Sequence, residues 1–215
     1  MPNALGASVV GSDPAVKQFG VDAGYSPRPD MLRAPDVSVG NVPDEPGWIR
    51  GVPSLAIEYA DVGQDEEKLQ EKISDLVGAG TKFLWVVRLI GPRRVDVHRP
   101  GERMVTLLPG DLLTAPGVLK NPVLVEALYD KSAADRATLN NLLQRQGFED
   151  LETVLSQGAL GQARRSLRRV LERRKLSISA EIEARIEQCQ AIGQLEEWQD
   201  RALEARSASD VFTSP

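Results

Sequence analysis

One cysteine and one histidine narrow the chemistry of this chain before any motif is read. Cys189 alone cannot form an internal disulfide, and no Cys/His cluster at zinc-ligand spacing exists. A lone cysteine fits a reducing, cytoplasmic setting. No run of about 18 apolar residues is present, so no membrane span is expected. The opening MPNALGASVVGSD has a short apolar stretch with no basic region before it and no clear cleavage site, so no secretory signal is read. Walker-type loops and Gly-rich dinucleotide fingerprints are missing. His98 has no Ser or Cys marked beside it for nucleophilic catalysis and reads as a surface residue. Cys189, on an apolar stripe, reads as core. Trp85 and Trp198 read as packing residues, and Trp48 stands apart from both.

What the chain does have is a globular composition. Its 215 residues are 41% hydrophobic and 27% charged, enough for one domain with an appendage or for two small domains. The net charge of −5 argues against tight, non-specific nucleic-acid binding by the whole surface. That charge is unevenly spread. Residues 1–150 hold 16 basic and 21 acidic side chains, whereas 151–215 hold 10 of each. In the second stretch the positives are bunched, from Arg164 to Lys175.

Residues 1–50 are rich in Pro, Gly, Asp and Ser. Within them Gly20–Tyr25 and Val37–Val39 are candidate strands, and the remainder reads as loop. Pro53 precedes Ser54-Leu55-Ala56-Ile57-Glu58-Tyr59, an apolar run that suits a buried strand with a charge near its end. Leu69, Ile73, Leu76 and Val77 then form one helical stripe, closed by Gly78 and Gly80. Residues 83–90, 95–98 and 104–108 read as strands separated by turns at Gly91-Pro92 and Pro100-Gly101. From about Val123 the pattern turns helical. The expected domains are a core over 1–130, a helical linker over 131–160 and a small helical tail over 161–215. In the tail Ser179 reads as an N-cap and Gly193 as a helix stop.

Asp36 follows Pro35 where a loop enters a strand, and Glu58 lies 22 positions later near the end of another. If the strands pair, the two carboxylates converge. Two hard oxygen ligands with room for water suit Mg²⁺ or Mn²⁺ beside a phosphate. A neighbouring lysine would stabilise charge on that phosphate. Lys72 lies about 40° round the helix from Leu76 and so borders the buried stripe, while Lys68 lies about 40° further toward solvent. The spacing therefore favours Lys72. The plainer alternative is that Asp36 caps a turn and Lys72 is a solvated charge.

Pro35-Asp36-Val37, Ala56-Ile57-Glu58-Tyr59, Lys72-Ile73, Ala79-Gly80 and Trp85-Val86-Val87 together resemble the Uma-two family of restriction-endonuclease-like proteins. That family lies within the PD-(D/E)XK nuclease-like superfamily, and the likeness spans roughly residues 20–130. It implies an α/β fold with a mixed sheet flanked by helices, a divalent-metal site and phosphodiester cleavage in DNA. Asp36 would match the first acid, Glu58 the second and Lys72 the lysine, displaced onto the following helix because Ala60 stands where the superfamily often has it. The Tyr59 carbonyl would be a further metal ligand. The family usually has a helix and strands before the first acid; here only 35 residues precede Asp36, and no further acidic ligand is identifiable among them.

The stretch 161–175 places Arg164, Arg165, Arg168, Arg169 and Arg173 on the polar side of a helix. These arginines either contact nucleic-acid phosphates or are balanced by Glu181, Glu183 and Glu187 on the next helix. Two functions follow from the sequence. One is a Mg²⁺- or Mn²⁺-dependent DNA endonuclease. The other is a catalytically inactive, nuclease-like interaction protein whose tail binds DNA or self-associates. A homo-oligomer would form through the core or the tail.

Overall fold

A computed structural model of the chain describes residues 2–212. It begins with a helix, α1 (Pro2–Ser12), where the sequence predicts loop. Ala7, Val9 and Val10 of α1 are buried, and its other positions are mostly Gly, Ala or Ser. A helix apolar nearly all round has little amphipathic period to detect. The next strands are β1 (Phe19–Val21), β2 (Tyr25–Arg28), β3 (Met31–Arg33), β4 (Val37–Val39) and β5 (Ile49–Arg50). The predicted strand over Gly20–Tyr25 is thus two strands in two sheets. The break is at Asp22, whose φ of 51° lies in the left-handed region that Asp tolerates better than most residues.

The apolar run forms β6 (Leu55–Ala60), and α2 (Glu66–Gly78) follows. Asp65 caps α2 by accepting from the Lys68 N–H, Glu66 and Glu67 occupy its first turn, and Leu69, Ile73 and Leu76 are buried. Burying side chains of this size is worth about 1.5–3 kcal/mol each. The chain continues as β7 (Phe83–Arg88), β8 (Arg94–His98), β9 (Val105–Leu107), β10 (Leu112–Leu113) and β11 (Val123–Leu124). Val123–Leu124 is therefore extended, paired with β10, and helix begins only with a 3₁₀ turn over Val125–Leu128.

Six strands make one mixed sheet in the order β1-β4-β6-β7-β8-β9. Only the central β6–β7 pair is parallel, joined across the face by α2. Leu55 and Ile57 point to one face and pack with α1 and the helix α3 (Lys131–Arg145). Ala56 and Ala60 point to the other and pack with α2. A second, three-stranded sheet, β3-β2-β5, is formed by the segment around Asp36.

The chain divides into two compact units, 1–147 and 148–215. The expected linker over 131–160 is split between them. Residues 131–145 belong to the first unit because Ala133, Ala134 and Asn141 are buried in it. The second unit consists of α4 (Leu151–Arg173), α5 (Ala180–Gln188), α6 (Ile192–Glu204) and α7 (Ala208–Val211) around Leu167, Leu171, Ile186, Leu195 and Trp198. Ser179 does cap α5, but Gly193 lies inside the first turn of α6 and stops nothing. Residues 213–215 of the expected tail lie outside the described residues. No helix among the described residues is long and apolar enough to cross a membrane.

Candidate active site

Strand register brings Asp36 and Glu58 to the same place. Val37 of β4 pairs with Ile57 of β6 in antiparallel register, so one further step sets Asp36 against Glu58. Glu58 alternates with the inward-facing Ile57 and therefore emerges on the α2 face. The Oδ2 of Asp36 accepts a hydrogen bond from the Tyr59 N–H at 2.7 Å. In an extended strand a residue's N–H and C=O leave by the same edge, so the Tyr59 carbonyl also faces the edge where Asp36 sits.

Glu58 is only 5% exposed. Its Oε2 accepts from the Lys72 Nζ at 2.7 Å, and the same ammonium donates to the Ala34 carbonyl at 2.7 Å. Its Oε1 is buried without a hydrogen-bond partner among the described residues. Lys68 is exposed and pairs with Asp65 on its own helix, so Lys72 is the lysine that α2 delivers to Glu58.

A third carboxylate joins them. Asp22, at the end of β1, donates its N–H to the Asp36 carbonyl at 3.1 Å. Burial raises the Asp36 pKa, opposed by the Tyr59 N–H and Lys72 and assisted by Asp22. Burial also pushes Glu58 up to about 7; Lys72 opposes the rise, and Asp36 and Asp22 add to it. Asp22 carries no distinctive sequence signal, because one Asp after a short strand is an ordinary turn signal. The Asp-Ala-Gly run at 22–24, leaving an apolar strand, was the only hint.

The Glu58 shift has a stability consequence. Its proton is held to about 7 in the folded chain, against an ordinary value of 4.5 when unfolded. Between those values the folded state binds more protons, so this contribution is complete below about 4.5 and lost as pH rises through 7. Glu58→Gln, neutral throughout, lacks that loss. Urea denaturation of both full-length chains at pH 4 and pH 8 should show the wild type losing stability relative to Glu58→Gln. The expected change is on the order of 3 kcal/mol. Parallel curves would place the Glu58 pKa near that of an ordinary carboxyl.

Neighbouring groups hold these side chains in place. Arg33 bonds Asp75 through Nε at 2.8 Å and Glu71 at 2.8 Å, tying the segment ahead of Asp36 to α2. At the start of α2, Arg88 grips both oxygens of Glu66 at 2.7 and 2.8 Å and reaches Asp96 at 2.9 Å. On the opposite face the Tyr59 hydroxyl donates to the Leu128 carbonyl at 2.9 Å. Gly6 of α1 lies against that hydroxyl so closely that a Cβ there would come within 2.1 Å of it. Helix α1 thus braces the residue whose N–H holds Asp36.

The remaining candidates belong to other elements. Arg164 and Arg168 are engaged within the second unit, by the Cys189 carbonyl at 2.8 Å and by Glu183 at 2.8 Å respectively, with Glu187 beside both. Arg165 bonds Gln162 at 3.0 Å, and Arg169 and Arg173 are exposed. His98 is half-buried at the end of β8, and burial lowers its pKa. Cys189 packs against the second core. Among the described residues no group of three or more His, Cys, Asp or Glu side chains is arranged to hold a metal ion. The donors near Asp36 are instead two carboxylates and a strand carbonyl. All are hard oxygens of the kind Mg²⁺ accepts alongside water, and the Glu58 Oε1 is left without a hydrogen-bond partner among the described residues.

Known structures supply a parallel for this architecture. The chain superposes on the crystal structure of a "putative nuclease belonging to DUF820" from Anabaena variabilis ATCC 29413 with a TM-score of 0.53. The fold is nuclease-like. Identity is 20%, and the match covers 62% of this chain and 79% of the other. No family model matches the chain, and no curated protein does. The likeness therefore speaks for the fold, and any chemistry must be argued from the residues.

Proposed function

We propose that this chain is a divalent-metal-dependent nuclease of the PD-(D/E)XK type, akin to the Uma-two family, that hydrolyses phosphodiester bonds in DNA. The observation that carries the reading is Glu58: a buried carboxylate with one oxygen on Lys72 and the other unpartnered, set opposite Asp36. Burying such a group without full pairing costs several kcal/mol unless something else uses it. Asp36, Glu58 and the Tyr59 carbonyl would hold Mg²⁺ or Mn²⁺, which when bound polarises a phosphoryl oxygen and lowers the pKa of water.

The chain's own residues supply the rest. The Tyr59 N–H fixes the Asp36 carboxylate, and Lys72 holds a positive charge beside Glu58, where a phosphate oxygen would gain negative charge. Glu58 must be deprotonated to serve as a ligand, so activity should rise as pH passes through about 7.

Nicking of supercoiled plasmid in Mn²⁺, with a chelator control, tests the reading. Wild type should nick, and Asp36→Asn and Glu58→Gln should both lose activity and calorimetric Mn²⁺ binding. A wild-type chain that neither nicks nor binds Mn²⁺ or Mg²⁺ would sink the proposal and leave the catalytically inactive alternative.

A further inference from the structure

Two of the three tryptophans are core residues, with Trp85 0% and Trp198 6% exposed; Trp48 is 55% exposed. It is nevertheless firmly seated. Its ring lies on the backbone of Gly24, where a Cβ would come within 2.8 Å of the ring carbons, and the next residue, Ile49, donates its N–H to the Gly24 carbonyl at 2.8 Å. Trp48 immediately precedes β5, so Trp48 and Arg50 project from the same face of the small sheet. Ser26 pairs with Arg50, and Arg28 ends the same strand, beyond a register shift in its pairing with β3. Arg28 and Arg50 are both exposed, and neither guanidinium makes an ion pair among the described residues. This face adjoins the acid cluster through the chain itself, because Gly24 lies two residues from Asp22, whose N–H is bonded to Asp36.

We propose that Trp48, with Arg28 and Arg50, is a stacking platform for an unpaired nucleobase, so that the chain acts on single-stranded nucleic acid, on frayed strand ends and on the unpaired segments that supercoiling opens in a plasmid. This deepens the nuclease reading above and rests on it for the identity of the polymer. An exposed indole held against backbone offers one open π-face at little entropic cost, and the two free guanidiniums suit the flanking phosphates. Inside a duplex both faces of a base are covered by its neighbours. Only an unpaired base, or one at a strand end, can use this platform. The excess of acidic residues in 1–150 weighs against a broad electrostatic grip on a duplex by this part of the chain, so stacking would add to a small number of phosphate contacts.

The experiment is a titration of the full chain, in chelator and at low salt, with a short fluorescently labelled oligothymidine and with the corresponding duplex. Tryptophan emission and label anisotropy are read together. The single strand should quench the emission, because the one exposed tryptophan is the one that stacks, and it should bind more tightly than the duplex. Trp48→Ala should weaken binding roughly tenfold to a hundredfold, whereas Trp48→Phe, which keeps a stacking ring, should retain most of it. Unchanged affinity in Trp48→Ala, or a duplex that binds and quenches as well as the single strand, overturns the proposal. Because the titration involves no metal and no cleavage, its failure leaves the nuclease reading standing. Quenching by a chain that never cuts would separate the two in the other direction.

Discussion

Replacing Lys72 by alanine is expected to lower phosphodiester cleavage by about 10²–10³-fold at neutral pH, the usual effect of deleting one group aimed at developing charge. Two losses combine. The ammonium that would face the phosphate disappears, and Glu58 loses the one neighbour that holds its pKa down, leaving burial, Asp36 and Asp22 all raising it. The carboxyl then keeps its proton to a pH above about 7, and metal binding weakens at neutral pH for that reason alone. The two effects separate with pH. Mn²⁺ affinity of Lys72→Ala, measured by calorimetry, should recover in alkaline buffer, while the nicking rate should recover only in part. Equal nicking by the variant and the wild type at pH 7 would remove Lys72 from the chemistry and leave the acids untouched.

The second large effect is on stability and lies far from the site. Asp13, just beyond α1, is 1% exposed, and its carboxylate accepts from the N–H groups of Ala15, Lys120 and Asn121 at 2.8, 2.9 and 2.9 Å. It joins the end of α1 to a loop more than 100 residues away in sequence. Asp13→Ala leaves three amide donors without their acceptor, and each such loss costs about 1–3 kcal/mol when the group is cut off from water. A loss of about 3 kcal/mol or more is expected in urea denaturation of the full chain. Asp13→Asn, which keeps one acceptor oxygen, should fall between. Since α1 braces Tyr59 through Gly6, a destabilised α1 should also loosen the hold on Asp36. Wild-type stability in Asp13→Ala would mean that water replaces the carboxylate at no cost.

Asn141 shows why α1 was hard to foresee. It is a polar residue on α3, 5% exposed, donating to the Val9 carbonyl at 3.0 Å and to the Ser12 hydroxyl at 3.1 Å. Nothing local in Asn140-Asn141 signals a buried contact with residues more than 120 positions earlier. The same holds for Asp22, where a turn-forming aspartate and a member of an acid cluster look alike until β1 is paired with β4. By contrast the Leu69-Ile73-Leu76 stripe is a local property, and it placed α2 and chose Lys72 over Lys68 through helix phase alone. Gly193 looks like a helix stop in sequence because a glycine in the first helical turn and one beyond the last turn differ only in where the packing begins.

By itself the sequence determined the elements with strong internal periodicity: the buried strand carrying Glu58, the helix carrying Lys72, the following strands and the basic helix. Period and capping are properties of neighbouring residues, and they survive without knowledge of the fold. Tertiary structure alone decided what those elements meet. It set Asp36 opposite Glu58, brought Asp22 into the same field, left Oε1 of Glu58 without a partner, engaged Arg164 and Arg168 with acids and carbonyls, and seated Trp48 on Gly24. Each of these depends on strand register or on desolvation by distant residues, and neither quantity is written in any local stretch of chain.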